Sequence, residues 1–468
     1  MAQSSPDFDN IQGDIWPGLS KKYEQFFFFQ ITSPDAFKPN LKRLLAHKKI
    51  TTSNDAINNR KMIAKHRQEK PGVLQEIAAV NIAFTFKGMK KMYPEDGFKD
   101  DPYRKGMEGD MVNEGRDKIQ EWDDAFKASN GGVDGVFFVC GTEKKVKETT
   151  AELAKNYFNE ARGIKHVITL DGRERDGENY KHEHFGYLDA ISQPRLTGFD
   201  EQCQKGDGNY QFMCRPGRII VGHDGEMGNE PKLMHGDWAK DGSYLVIRKY
   251  KQFVPEFNNY LKAESQKLHL TSDQLGARMM GRWKSGCPVE LHPDQDNPAL
   301  ARMNEFNYNP ESGSNCPFAA HMRKVKPRID NRDRDMNDIM RRGIPYGPEV
   351  GADEANVTKL DRGLIFTCYQ SSISNGFQEI QRQWINKSTF PDGKEDYIGD
   401  QNPGQDCIVG QLVGRPRNDR DKVLTTAICN GKGEHTSTSY TPFIQSHGGD
   451  YFFSPSISLL QAMTKYDF

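Results

Sequence analysis

The sequence predicts an α+β protein in two halves, and three observations carry that expectation. Short apolar runs of strand length recur along the chain, polar stretches with helical spacing lie between them, and a Gly-, Asp- and Gln-rich connection, Leu196–Arg218, separates two such series. The halves are expected at residues 1–200 and 201–468, within the range of ~100–200 residues per domain.

In the first half, strands are expected at Glu24–Ile31, Ala78–Phe86, Gly135–Gly141 and Lys165–Leu170, each rich in Phe, Val or Ile and bounded by Gly, Pro or charge. Helical spacing marks Ile119–Phe126 and Lys144–Phe158. In the second half the strands are Ser243–Arg248, Gly363–Tyr369 and Tyr451–Phe453, and the helices Glu256–Leu268 and Ile373–Trp384. Glu290–Pro317 and Ser388–Gln405 are dense in Asn, Asp, Pro and Gly. They are too long for ordinary connections, and such loops are usually functional or mobile.

Composition narrows the function classes. The 64 Lys+Arg balance 65 Asp+Glu for a net charge of -1, which argues against a constitutive binder of nucleic acid or of an anionic membrane. Hydrophobic residues make up only 35%, but 27 Phe, 17 Tyr and 5 Trp supply bulky core material. The longest apolar runs, Phe26–Phe29 and Val136–Cys140, are far short of the ~20 residues of a membrane span. The polar, acidic start MAQSSPDFDN has neither a basic nor an apolar leader region, so the expected location is cytoplasmic. The 8 cysteines form no CxxC pair and no Cys/His cluster, which disfavours structural zinc, iron–sulfur and disulfide scaffolds.

The common phosphate, zinc-protease and esterase signatures are absent. Four local constellations remain. His182-Glu183-His184-Phe185-Gly186-Tyr187-Leu188-Asp189-Ala190 brackets one carboxylate with turn residues. Alone, Asp189 reads as a turn residue or cap, and the two histidines as a surface pair or, on a strand, two ligands lacking a third. Cys316-Pro317-Phe318-Ala319-Ala320-His321 runs into Met322-Arg323-Lys324-Val325-Lys326-Pro327-Arg328. His321 is either structural or an axial metal ligand ahead of cations suited to acidic groups. Arg341-Arg342-Gly343-Ile344-Pro345-Tyr346-Gly347 is either a structural turn with solvated cations or a rigid mount for a guanidinium. Gly363-Leu364-Ile365-Phe366-Thr367-Cys368-Tyr369 reads as a buried strand.

In this order the four constellations resemble the dye-decolourising peroxidase family of haem proteins, in the longer branch shared by fungi and some bacteria. Asn10-Ile11-Gln12-Gly13-Asp14-Ile15 is similar to the opening of these enzymes, and Asn81–Phe86 with Gly88-Met89 to their second strand. The resemblance implies two ferredoxin-like halves with antiparallel sheets and peripheral helices, an arrangement like a dimeric α/β barrel. It implies one haem b per chain, held in the second half, with the distal side closed by the first. By the same resemblance His321 is the axial ligand of the haem iron, Asp189 the distal acid–base residue and Arg341 the distal arginine. Arg328 is a propionate-binding arginine, Leu364 and Phe366 are apolar residues of the distal side, and Asp406 is the acidic partner of His321. Two departures stand out. The family's GxxDG motif ends here in Ala190, and Cys407 stands where the family commonly has Pro.

The implied partners are hydrogen peroxide and dyes, phenols or other aromatic reductants, with no nucleic acid or membrane and the oligomeric state open. Cleaving peroxide needs a group that moves a proton between its oxygens and a fixed positive charge, which Asp189 and Arg341 supply. Dyes too large for a buried pocket would be oxidised at the surface. Trp384 and Tyr346 adjoin the motifs and are either electron relays or packed structural aromatics. Two rival readings are a haem carrier or sensor on the same fold, which binds haem without turnover, and a haem-free interaction domain. The retention of both distal groups favours the peroxidase.

Overall fold

The structure is a computed structural model that describes residues 6–465 apart from residue 96 and the stretches 113–116, 202–212, 227–234, 332–335, 395–402, 412–423, 430–434 and 441. Parts of the expected connection 196–218 and of the loop 388–405 therefore lie outside the described residues.

The first half contains β1 (Tyr23–Ile31), α1 (Pro34–Ala46), α2 (Ser53–Glu69), β2 (Ala78–Phe84), α3 (Phe86–Met92), α4 (Asp101–Val112), β3 (Gly135–Gly141), α5 (Glu143–Asn156) and β4 (Ile164–Arg173). A short parallel pair follows, β5 (Arg195–Leu196) with β6 (Met213–Cys214). The second half contains β7 (Ser243–Gln252), α6 (Val254–Lys267), α7 (Ser272–Met280), α8 (His321–Val325), β8 (Met340–Arg341), β9 (Ile344–Tyr346) and β10 (Gly363–Gln370). It ends with the hairpin β11 (Leu424–Cys429) and β12 (His435–Tyr440), then β13 (Ile444–Ser454) and α9 (Ile457–Met463).

One nine-stranded sheet runs β4-β1-β3-β2-β13-β7-β10-β8, with β9 on β10 beside β8. Both halves repeat one antiparallel order, in which the last strand pairs with the first, the first with the third, and the third continues to the second. The halves join where β2 meets β13, at Phe84 and Phe453. This is the two-half α+β architecture expected.

Four consecutive phenylalanines explain β1. Side chains alternate across a strand, so Phe27 and Phe29 share one face and Phe26 and Phe28 the other. Phe29 packs on Phe37 of α1 and on Phe158, with ring centroids 6.1 and 5.5 Å away. Phe28 meets Phe126 edge-on at 5.1 Å and Phe452 of β13 at 6.1 Å. Both faces are covered, all four rings are buried, and each contributes about 2 kcal/mol of apolar burial. Side-chain caps start the helices beside them: Ser33 caps α1, and Thr52 with Asp55 forms a reciprocal capping box on α2.

Two helical expectations need correction. Ile119–Phe126 is not one helix but two 3-10 turns, Ile119–Glu121 and Asp124–Phe126. The Asp123 N–H donates to the His447 carbonyl at 3.0 Å instead of to a carbonyl of its own segment, and a Cβ on Gly448 would stand 3.0 Å from Phe126 Cβ. Packing beneath β13 overrides local helical preference. The segment after β10 is wound as π-helix, Ser374–Gln378 and Ile380–Ile385. Because π-winding bonds residues five apart, Ile380 and Ile385 fall on one side, and both line the cavity described next.

Candidate active site

The sheet of the second half presents Tyr250 and Gln252 of β7, Leu364 and Phe366 of β10 and Ile444 of β13 to one cavity. Leu364 and Phe366 are two apart and so share a face, and Leu364 sits directly opposite Tyr250. Helix α8, the π-helical segment and the loop 183–194 complete the lining. The empty volume, counting the mouth, is about 1480 Å³. The walls are predominantly apolar, with Met280, Val325, Ile339, Phe377 and Ile408 among them.

His321 begins α8 and lines this cavity. Its Nδ1–H donates to Asp406 Oδ2 at 2.9 Å, and among the described residues its Nε2 has no hydrogen-bond partner. A carboxylate accepts only, so this contact fixes the ring with a lone pair on Nε2. Asp406 is fully buried, and its other oxygen accepts the N–H groups of Ile408 and Val409 at 2.8 and 2.9 Å. Burial opposes its charge, but His321 and the two N–H groups outweigh burial and hold the carboxyl below its ordinary range. The adjoining Cys407 N–H donates to the Ala319 carbonyl at 3.3 Å, tying this segment to the base of α8. The proline common in the family has no N–H to give, so the cysteine adds an anchor.

Elsewhere in the lining, Arg341 Nη1 lies 3.4 Å from Asp189 Oδ1, and its Nη2 donates to the Ser192 carbonyl at 2.9 Å. Gln193 grips the backbone of Arg341 from both sides, accepting its N–H at 3.1 Å and donating to its carbonyl at 3.0 Å. The neighbouring Arg342, just past β8, does not line the cavity. Its Nε and Nη2 donate to the carbonyls of Asp14 and Ile15 at 2.8 and 3.1 Å, while Lys21 Nζ donates to its carbonyl at 2.7 Å. Gly18, at φ +98, leaves room for that guanidinium: a Cβ there would stand 2.7 Å from Arg342 Cζ. The opening motif of the sequence thus braces the strand that carries Arg341.

Asp189 Oδ1 also accepts the N–H of Ala190 at 2.6 Å, and among the described residues Oδ2 has no hydrogen-bond partner. Ala190 adopts φ +54, a left-handed conformation that costs a non-glycine residue about 1 kcal/mol. The family glycine is therefore missing where the backbone calls for it, yet the carboxylate still reaches Arg341. Ala190→Gly is expected to raise stability by about 0.5 kcal/mol, since relieved strain exceeds the added chain entropy. Denaturant unfolding with turnover unchanged checks this, and a destabilised variant would mean that the turn carries no strain.

Arg328 is not brought to this site. Its Nη1 donates to the carbonyls of Asn304 and Phe306 at 2.8 and 2.7 Å, its guanidinium lies 3.9 Å from the Phe306 ring centroid, and it does not line the cavity. Arg282, just after the glycine that ends α7, does line it. Arg282 Nη1 and Nη2 are held by Gly286, Met303 and Asn304, while Nε is buried without a partner. Burial and the nearby Arg328 lower its pKa to about 10, with Tyr308 opposing them. The helix-ending glycine before an arginine is the one sequence signal that marks the position. Glu183 also lines the cavity, half-buried and with its pKa raised by burial, and accepts the N–H groups of Phe185 and Tyr187 at 2.9 Å. Sequence reasoning did not single it out.

The two histidines before Asp189 do not form a metal site. His182 Nδ1 bonds the Tyr180 carbonyl at 2.9 Å, and the buried His184 Nε2 bonds that of Tyr346 at 2.8 Å. Trp384 is buried and stacked on Phe390 at 5.4 Å, and the buried Tyr346 hydroxyl donates to Asp361 at 2.9 Å. No helix among the described residues is long and apolar enough to cross a membrane.

The donor set fits a haem. An apolar slot is lined by an imidazole nitrogen with a free lone pair, by a carboxylate and by a guanidinium, and Arg282 adds a cation suited to an acidic substituent.

Comparison with known proteins agrees. Residues 10–176 match the family described as the DyP dimeric alpha+beta barrel domain, and residues 226–404 the Dyp-type peroxidase C-terminal family. A dye-decolorizing peroxidase of Mycena epipterygia is 36% identical, covering 98% of this chain and 87% of its own. Among solved structures, an ancestral D-type dye-decolorizing peroxidase is 38% identical with a TM-score of 0.86, over 98% of this chain and 100% of that one. A dye-decolorizing peroxidase in complex with 2,6-dimethoxyphenol is 34% identical with a TM-score of 0.84, again over 98% and 100%.

Proposed function

From the premise that this chain belongs to the dye-decolourising peroxidase family, whose members are haem-dependent, we propose that His321, Asp189 and Arg341 carry its reaction around one haem b per chain. The protein is a peroxidase that reduces hydrogen peroxide at the expense of dyes and phenols. The observation that supports the assignment of residues is that one apolar slot is lined both by His321, held by Asp406, and by the Asp189–Arg341 pair.

Haem, when bound, supplies the iron that takes electrons from aromatic reductants and passes them to peroxide. His321 would hold it through Nε2, with Asp406 raising the basicity of the ring through Nδ1. Arg282, rather than Arg328, would meet a propionate. Leu364 and Phe366 keep water from the distal side. Asp189 takes the first peroxide proton on Oδ2, its unpaired oxygen, and returns it to the departing oxygen. Arg341 cannot give up its own proton, so it acts by fixed charge and by holding Asp189 Oδ1.

The reading divides the chain near residue 200, so that Asp189 comes from the first half and His321 from the second. The phenol held by the relative supports phenolic reductants here. Four free, buried cysteines, Cys140, Cys287, Cys316 and Cys368, support a cytoplasmic location, where thiols stay reduced.

One absorption spectrum before and after stoichiometric peroxide, followed by dye oxidation, tests the whole assignment. A protein that binds haem but neither changes spectrum nor turns over would be a carrier. Arg341→Leu deletes the charge and keeps bulk, so the peroxide-induced spectral change is expected to slow by about 10²–10³. Arg342→Leu is expected to lower stability, since it releases two carbonyls of the N-terminal segment, with far less effect on that rate. Equal kinetic damage from both would place the charge on the wrong arginine.

A further inference from the structure

A second cleft lies away from the haem cavity, between α2, the loop 72–77 and the segment Tyr180–Lys181, with an empty volume of about 1100 Å³ including its open side. Its lining has two characters. Val73 and Leu74 are each 55% exposed, among the most exposed large apolar side chains described, and Ile63 continues their surface. Four cations line the same cleft, Lys21, Lys22, Arg67 and Lys181, against one acid, Glu174. Lys21 is paired with Glu24 at 2.9 Å and Lys22 with Glu174 at 2.8 Å. Among the described residues Arg67 and Lys181 make no ion pair. Lys181 Nζ stands 5.2 Å from the Tyr180 ring centroid, and Lys22 Nζ 3.8 Å from it.

We propose that this cleft binds a planar aromatic anion, such as an aromatic sulfonate or carboxylate, with its rings on Val73 and Leu74 and its charge at Arg67 and Lys181. Exposed apolar side chains favour a ligand that removes them from water, and two uncompensated cations beside them require that ligand to carry negative charge at one end. An inorganic anion would leave the apolar side chains wet, and a neutral ring would leave the cations unanswered. The cleft also abuts the distal segment, because the Lys181 carbonyl accepts the Asp189 N–H at 2.9 Å. As a docking place for anionic aromatic reductants the cleft rests on the peroxidase reading, whereas binding itself does not.

Calorimetric titration of the haem-loaded protein with anthraquinone-2-sulfonate, without peroxide and with cyanide blocking the haem, tests binding apart from turnover. One saturable site is expected, weakened at least about tenfold by Arg67→Glu with Lys181→Glu, and similarly by Val73→Asp with Leu74→Asp. Affinity is also expected to fall from 0.05 to 0.5 M salt, as screening shortens to a few Å. The proposal is overturned if both double variants bind like the parent, if cyanide abolishes binding, or if sulfate alone binds as tightly as the sulfonate. Loss of dye turnover with binding intact would instead count against the peroxidase reading.

Discussion

His321→Ala is expected to reduce haem occupancy to below about a tenth of that of the parent protein and to abolish peroxidase activity. No other imidazole lines the cavity among the described residues, so nothing inherits the axial bond. The damage extends to the apoprotein. Asp406 is buried, and its charge is tolerated because His321 and the N–H groups of Ile408 and Val409 answer it. Removing one of three partners leaves burial less opposed and costs about 1–3 kcal/mol. The pH dependence follows from the sign of the shift. The folded carboxyl lies below its ordinary 3.8, so the stability it contributes is present above that value and is lost as pH falls through the folded one. The parent carboxylate is therefore ionised at both pH 5 and pH 7. Soret absorbance per polypeptide and denaturant unfolding at both pH values measure the two effects. Full haem with an unchanged Soret band would move the ligand role to another histidine.

The parts of this molecule that were legible in its sequence are those where local chemistry and tertiary demand coincide. The run Phe26–Phe29 announces a strand covered on both faces, and the alternation Leu364-Ile365-Phe366 places two side chains in the cavity. Arg341 and Arg342 are adjacent, and the family resemblance picks out the one that lines the site. What stayed hidden depends on partners distant in sequence. Ile119–Phe126 has helical spacing, but β13 lies over it and takes the Asp123 N–H. Arg328 follows a basic run after His321, as a propionate partner would. Its left-handed backbone, φ +54, and the carbonyls of Asn304 and Phe306 turn it elsewhere. Arg282 lines the cavity just past Gly281, the glycine that ends α7. Glu183 is concealed for a different reason: an acid in a polar, histidine-rich stretch reads as solvated until the fold desolvates it.

Asp189→Asn is expected to lower the rate of the peroxide reaction by about 10²–10⁴ while haem stays bound. The argument lies in how the two carboxylate oxygens are used. Oδ1 accepts from Ala190 N–H at 2.6 Å and faces Arg341 Nη1 at 3.4 Å, so in the amide the oxygen must occupy this position. The NH2 then falls where Oδ2 stood, which puts a donor in place of the acceptor that receives the peroxide proton. The variant keeps the fold of the turn and the place of Arg341, so the loss reports proton transfer and not collapse of the site. Carboxylic acids ordinarily titrate near pH 4 and imidazoles near 6.5, so a carboxylate base keeps working in acid where a histidine base is protonated. Dye oxidation by the parent protein should accordingly persist at roughly pH 4–5, and the variant should be deficient across the range. Stopped-flow absorbance after mixing with peroxide, from roughly pH 4 to 7, decides the matter. A variant that reacts at the parent rate throughout would remove Asp189 as the proton carrier and leave Arg341, with a water, to act alone.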